Sequence, residues 1–236
     1  MTATATVVLW RVHLSQVAVQ LGLADCLDAD ERARAVRFHF HRDSSRFVAY
    51  RGALRHILGH YLRQPPEAVR LGYASAGKPF LLDFPELQFN LSHAGDLLLV
   101  GVSRGGRLGV DIERIPPDSV VDETSGLVLS DPERDVMRRL TGQARRARFG
   151  AIWTRKEAYI KGDGRGMGLE LDLIDVATSP DRVLVREQGS DRWATCSTWT
   201  LRSLEIDPGY SAAIAVEEAD WRLERLEWPG ALRPAG

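Results

Sequence analysis

Two acidic residues set two apart, Asp111 and Glu113, offer the first chemistry in this chain. They lie in Gly109-Val110-Asp111-Ile112-Glu113, where Val110, Ile112 and Ile115 predict a strand with one buried face. Side chains on a strand repeat with a period of two, so both carboxylates point the same way. Adjacent carboxylates repel unless a proton or cation lies between them. An oxygen-only donor pair suits a hard cation, Mg²⁺ first. Two acids on a wet strand face is the plain alternative. A third carboxylate occurs in Trp153-Thr-Arg-Lys156-Glu157-Ala-Tyr-Ile-Lys161. On a helix Trp153, Glu157 and Lys161 share one face at successive turns. Glu157 can complete a three-carboxylate site, and Lys161 can bring positive charge to a phosphate. A surface Glu157–Lys161 pair would explain neither the tryptophan on that face nor the choice of lysine.

That choice stands out because 28 of the 31 basic residues are arginine; the lysines are Lys78, Lys156 and Lys161. Lysine places a compact ammonium on a flexible stem where arginine offers a planar fork. Lys78 sits in Gly77-Lys78-Pro79, a rigid turn. Ser92-His93 ends Phe89-Asn90-Leu91-Ser92-His93, and both side chains can donate to phosphate oxygens. Adjacent residues of an extended chain point to opposite faces, which makes Ser92 and His93 a poor nucleophile–base pair.

These residues need a mixed scaffold. Val7 to His13 reads as a strand, and Asp28 with Glu31 as a capping box opening a helix to Phe38. A helix from Asp43 to Leu62 puts Phe47, Tyr50, Leu54, Ile57, Leu58 and Tyr61 on its apolar face and Arg51 and Arg55 on another. Strands follow at Arg70 to Ala74, Gln88 to Leu91, Leu97 to Ser103 and Arg107 to Glu113. The last two flank Arg104-Gly105-Gly106, a hairpin signal. Residues 116–129, opening with Pro116-Pro117, read as a linker or exposed loop. Ser130 with Glu133 caps a helix to Leu140, and Arg148 to Lys161 forms a helix ended by glycines. Strands at Ile174 to Ala177, Arg182 to Glu187, Trp193 to Leu204 and Tyr210 to Val216 complete the chain. The order, helices then strands twice over, predicts an α+β fold built as a pair of similar halves. Residues 1–115 form one half, 116–129 the connecting segment and 130–236 the other.

Composition sets the class. With 44% apolar and 27% charged residues, no long apolar run and no signal-like N-terminus, the chain reads as a cytoplasmic globular protein. Cys26 and Cys196 lack metal-ligand spacing and read as buried, reduced thiols. Net charge is −1, yet residues 31–70 hold nine arginines against Glu31, Asp43 and Glu67. Such a stretch could meet nucleic acid, a phosphorylated cofactor or an acidic protein, or be a solvated helix face.

The ordered set Gly77-Lys78-Pro79, Phe89-Asn90-Leu91-Ser92-His93, Gly109 to Glu113 and Trp153-x-x-Lys156-Glu157-Ala-Tyr-x-Lys161 closely resembles the 4′-phosphopantetheinyl transferase superfamily. Chain length and the two-half layout resemble its larger, surfactin-synthetase-activator type. The resemblance runs from about Asp28 to Ala215 and takes in all three lysines. It implies a pseudo-twofold pair of α+β halves with coenzyme A in the cleft between them. It implies Mg²⁺ on Asp111, Glu113 and Glu157, and coenzyme A phosphates on Ser92 and His93, with His93 at the 3′-phosphate. Lys78 would lie near the adenine and phosphates, Lys161 at the pyrophosphate, and Arg46, helped by Arg51, at the 3′-phosphate. Where the family often has lysine in the first helix this chain has Glu31 and Arg34, of which Arg34 can substitute.

The implied reaction moves phosphopantetheine from coenzyme A to a serine of an apo acyl or peptidyl carrier protein, in a monomeric enzyme with no nucleic-acid or membrane partner. Glu157, Glu113 or a metal-bound water would take the serine proton. The basic 31–70 region and the apolar Val120, Val121, Leu127, Val128 and Leu129 would meet the carrier, unless the latter fold into the core. The rival readings are a metal-dependent phosphodiesterase using the same carboxylates and a non-catalytic coenzyme A-binding module.

Overall fold

The computed structural model describes residues 4–14, 22–166 and 170–228. It is an α+β protein of four layers, with helices outside and two sheets face to face inside. The first sheet has strand order β11-β1-β5-β4, from β1 (Ala5–His13), β4 (Gln88–Ala94), β5 (Leu97–Ser103) and β11 (Trp221–Trp228). The second has order β6-β10-β9-β8-β7, from β6 (Leu108–Arg114), β7 (Ile174–Asp175), β8 (Arg182–Arg186), β9 (Trp193–Leu204) and β10 (Tyr210–Val216). A small ribbon, β2 (Leu71–Tyr73) with β3 (Pro79–Leu81), carries the Gly77-Lys78 turn.

Period-two alternation builds the layers. Val7, Leu9, Leu97 and Leu99 face Val110, Ile112, Ala212 and Ile214 across the middle core. Trp10, Val12, Leu98 and Val100 face the other way, onto a 22-residue helix, α2 (His41–Leu62). Leu201, Ala213 and Ala215 face a second helix of 22 residues, α5 (Gly142–Asp163). Each half is thus one long helix on one sheet, and β5 and β10 each follow a glycine at positive φ, Gly95 at 61° and Gly209 at 86°.

The two strands flanking Arg104-Gly105-Gly106 are not a hairpin. β5 pairs with β1 and β4, whereas β6 pairs with β10 in the other sheet. The turn is a crossing between sheets, and Gly106 is required there: a Cβ would lie 2.2 Å from the Glu217 carbonyl oxygen. The return crossing, from β10 to β11, lies beside it, with Glu217 N–H donating to Arg107 O at 2.8 Å. β11, which the sequence reading missed, joins the first sheet parallel to β1. Each half therefore lends its last strand to the other's sheet, and the sheets do not divide at residue 115.

The connecting segment is not a loop either. Residues Asp118–Val128 form α3, with Val121 and Val128 buried beside Leu129 while Val120 and Leu127 stay exposed. Both predicted capping boxes are present. Asp28 opens α1 (Ala29–Val36) and Ser130 opens α4 (Asp131–Met137), each bonded reciprocally to the glutamate three residues on. Cys26 is buried and Cys196 half-buried; both are free.

Candidate active site

Asp111 and Glu113 sit on β6, the edge strand of the second sheet, on the face opposite Val110 and Ile112. Helix α5 packs straight onto that face because two glycines remove the side chains between them. A Cβ on Gly109 would lie 2.0 Å from the Ala158 carbonyl oxygen and 2.3 Å from the Gly162 nitrogen. This approach brings Glu157 and Lys161 of α5 to the carboxylates of β6. Beyond them Gly164, at φ 83°, ends the helix in the left-handed region.

From the other side comes β4, an edge strand of the first sheet. Its Ser92 donates to Asp111 Oδ1 at 2.9 Å, and the Lys161 ammonium donates to the same oxygen at 2.6 Å and to Ser92 Oγ at 3.0 Å. Asp111 is 1% exposed, and its Oδ2 has no hydrogen-bond partner. As their adjacency requires, Ser92 and His93 diverge: His93 stacks on Tyr50 of α2, rings 4.2 Å apart and 13° from parallel. Tyr50 OH donates to Gly95 O at 2.5 Å, and Arg46, one turn away, holds Asp96 at 2.8 Å.

The electrostatics are those of a site short of positive charge. Glu157 holds its proton more readily than a free glutamate, through desolvation and then the nearby Asp111, partly offset by Lys161. Desolvation, Asp111 and then Glu157 push Glu113 the same way, against Lys161. Burial, and then Lys161, push His93 down, toward the neutral imidazole. Among the described residues no three His, Cys, Asp or Glu side chains close into a ready metal cage. The donor chemistry nevertheless fits a hard cation: oxygen-only groups, two of them holding their protons more readily beside Asp111, and one buried carboxylate oxygen left unpaired.

Beside this cluster opens a cleft of about 760 Å³, lined among others by Lys78, Asn90, Leu127, Glu157 and Lys161. Lys78 reaches it with its ammonium already engaged, donating to Leu108 O at 3.2 Å and Gly162 O at 3.0 Å. Burial, and then Arg107, lower its pKa to about 8.

Two basic residues that the sequence singled out lie elsewhere, one in the motif set and one outside it. Lys156 points away from the cleft and is fully buried, 2.5 Å from Glu133, donating also to Val128 O and Leu171 O at 2.6 and 2.7 Å. Three positions after Trp153, it falls off the Trp153–Glu157–Lys161 face, which the helical spacing could have shown. Arg51 is buried in a different group: it donates to Tyr73 OH at 2.9 Å and lies 3.7 Å from Glu31. Glu31 in turn accepts from Arg55 at 2.6 Å and is an internal anchor of α1 on α2. Arg34 lies over the Phe47 ring at 5.2 Å, on the same side of α2. Sequence reasoning assigned no role to Asn90, although Phe89-Asn90-Leu91-Ser92-His93 contains it; its carboxamide oxygen accepts from Val110 N–H at 2.8 Å.

Two family models divide the chain at the crossing between the sheets. One described as 4′-phosphopantetheinyl transferase, N-terminal, matches residues 10–104, and one described as 4′-phosphopantetheinyl transferase superfamily matches 107–215. The chain is similar to the 4′-phosphopantetheinyl transferase HetI of a Nostoc species, 38% identical over 218 residues, 91% of this chain and 89% of the relative. It is 30% identical over 190 residues to the 4′-phosphopantetheinyl transferase psf-1 of Bacillus pumilus, covering 80% of this chain and 78% of the relative. To the 4′-phosphopantetheinyl transferase Sfp of Bacillus subtilis it is 25% identical over 195 residues, 83% and 84% of the two chains. The site joins the Ser-His strand of the first matched region to the carboxylate strand and glutamate–lysine helix of the second, and the chain belongs to the 4′-phosphopantetheinyl transferase superfamily, in its larger, surfactin-synthetase-activator type.

Proposed function

We propose that this protein transfers the 4′-phosphopantetheine moiety of coenzyme A to a serine hydroxyl of an apo acyl or peptidyl carrier protein, releasing 3′,5′-ADP. The observation that carries the reading is the convergence of Asp111, Ser92 and Lys161 within 3.0 Å of one another, with Glu113 and Glu157 alongside.

In this reading Asp111, Glu113 and Glu157 hold Mg²⁺, which when bound neutralises charge on the pyrophosphate. An ammonium has three N–H donors. Lys161 uses one on Asp111 and one on Ser92, leaving the third for a phosphate oxygen at the cleft. Removal of such a charge typically costs 10²–10³ in rate. Glu157 or Glu113, both in the cluster, would accept the serine proton. His93, stacked on Tyr50, and Arg46, one turn away on α2, take the 3′-phosphate. Arg51 supports that end from its buried place behind Phe47. Lys78 borders the cleft near the adenine and phosphates.

In this reading the enzyme is a cytoplasmic monomer that needs neither nucleic acid nor membrane. Carrier proteins expose acidic helices with an apolar stripe. The exposed Phe40, Val120 and Leu127, with the arginines of α1, offer matching chemistry.

The test is incubation with coenzyme A, Mg²⁺ and apo carrier proteins, read by mass spectrometry. Gain of one phosphopantetheine on the carrier serine is expected. Hydrolysis of coenzyme A with no adduct on several carriers would favour a phosphodiesterase instead. Charge reversal of Arg34 and Arg37 should raise the carrier KM; an unchanged KM removes the basic docking surface.

A further inference from the structure

Among the described residues, the strand that carries the carboxylates has one edge with no strand paired to it. β6 pairs with β10 on one side, and on the other it meets β4, which is the edge of a different sheet and shares no ladder with it. Backbone groups buried at such an edge must find partners or remain at a cost of about 1–3 kcal/mol each. Here side chains serve as the rungs. Lys78 Nζ donates to Leu108 O, and Val110 N–H donates to Asn90 Oδ1 at 2.8 Å. Asn90 is 4% exposed and lies two residues before Ser92, on the same face of β4. The two rungs of β4 therefore grip consecutive residues of β6: Asn90 the amide of Val110, Ser92 the carboxylate of Asp111. On α5's side the contact is made through glycine, so no side chain there fixes the strand's position at Gly109.

We infer that Asn90 is a positioning residue: by holding the Val110 amide it sets the register and orientation of Asp111, and so the capacity of the site for a divalent cation and for the pyrophosphate it accompanies. Without this rung β6 keeps its ladder to β10 but loses its backbone tie to β4 beside Asp111, which lets the buried Oδ2 turn. The inference rests on the reading of Asp111 as a cation ligand. Partners bonded directly to a metal ligand alter affinity about 10–100-fold when lost, and Asn90, which acts through the neighbouring amide, is expected at the lower end of that range. Nothing in the family motif assigns this role to the asparagine; it follows from the bare edge and the bond that closes it.

The experiment measures Mn²⁺ binding in the presence of coenzyme A by electron paramagnetic resonance, coenzyme A binding in EDTA by calorimetry, and thermal stability, for the wild type, Asn90→Ala and Asn90→Asp. Asparagine and aspartate place an acceptor oxygen alike. Asn90→Ala should weaken Mn²⁺ at least tenfold, and by more than it weakens coenzyme A in EDTA. Asn90→Asp, which keeps the acceptor and adds a negative charge, should bind Mn²⁺ no more than threefold more weakly than the wild type. Wild-type Mn²⁺ affinity in Asn90→Ala overturns the inference. So do equal losses in both variants that track their melting temperatures, since these would mark a merely structural residue. If Asn90→Ala does not fold, a tenfold loss in Asn90→Asp overturns it alone. A wild type that binds coenzyme A but no Mn²⁺ would overturn the cation reading and this inference together, an outcome distinct from the others.

Discussion

Replacing Lys161 by methionine should destabilise the metal-free protein and make it unusually responsive to Mg²⁺. The ammonium lies 2.6 Å from Asp111 Oδ1, and Asp111 is 1% exposed. Methionine keeps the stem's volume but leaves a buried carboxylate with Ser92 as its remaining donor. Breaking a fully buried ion pair costs about 3–5 kcal/mol. The Lys161 side chain is 33% exposed, so solvent already screens part of this attraction and about 2–3 kcal/mol is the expected loss. In a chain of this size, about 2–4 °C per kcal/mol gives a drop of roughly 4–12 °C in Tm. A cation that takes the ammonium's place restores RT ln(1 + [L]/Kd), about 2.7 kcal/mol at a hundredfold excess over Kd. The assay is thermal unfolding of both proteins in EDTA and across a Mg²⁺ titration. The variant should start lower and gain more. If it melts within a degree of the wild type in EDTA, or if Mg²⁺ raises both equally, then Lys161 is not the counter-charge of a cation site.

Three further outcomes follow from the same geometry. Lys156→Met should cost about 3–5 kcal/mol by stranding Glu133, and a double variant with Glu133→Gln should recover part of it in denaturant unfolding, because both partners are fully buried. Gly109→Ala should lower Tm and kcat/KM together, since the added Cβ would lie 2.0 Å from Ala158 O and must push α5 off β6; overpacking of this kind costs about 1–3 kcal/mol, and an unchanged kcat/KM would separate the helix contact from the site. In EDTA, stability should fall as pH rises above 4.5, because the folded protein holds the Glu113 and Glu157 protons that the unfolded chain has released. Mg²⁺ should remove that slope, and parallel profiles with and without the cation would contradict a shared site.

The sequence made local geometry readable wherever a short-range rule decides it. The capping boxes at Asp28 and Ser130 follow from a three-residue spacing, and the shared face of Asp111 and Glu113 from a two-residue period. The divergence of Ser92 and His93 follows from adjacency. What misled was anything fixed by a distant partner. α3 follows two prolines and carries Ser, Thr, Asp and Gly, a loop composition, yet Val121 and Val128 dock on the second core. β11 alternates so many charges that it resembles a surface segment, but only its ends, Trp221 and Trp228, are buried, beside β1. α5 begins at Gly142, ahead of any apolar periodicity. Arg51 and Arg55 read as an exposed basic face because Glu31 and Asp28, which hold Arg55, lie more than 20 positions away.

The three lysines show how far residue choice carries. Each brings at least two acceptors to one compact ammonium, but the acceptors differ in kind. Lys156 joins Glu133 to two carbonyls and ties α5 to the segments bearing Leu127 and Leu171, both of which line the cleft. Lys78 joins two carbonyls, one on the bare edge of β6 and one at the end of α5, and so holds together the elements that carry the carboxylates and the phosphate-facing lysine. Lys161 alone meets a site carboxylate. Scarcity thus marked positions where a compact charge is needed. It could not distinguish a charge that meets a substrate from one that holds the walls apart at the right distance, because that distinction lies in which way each side chain leaves its helix or turn.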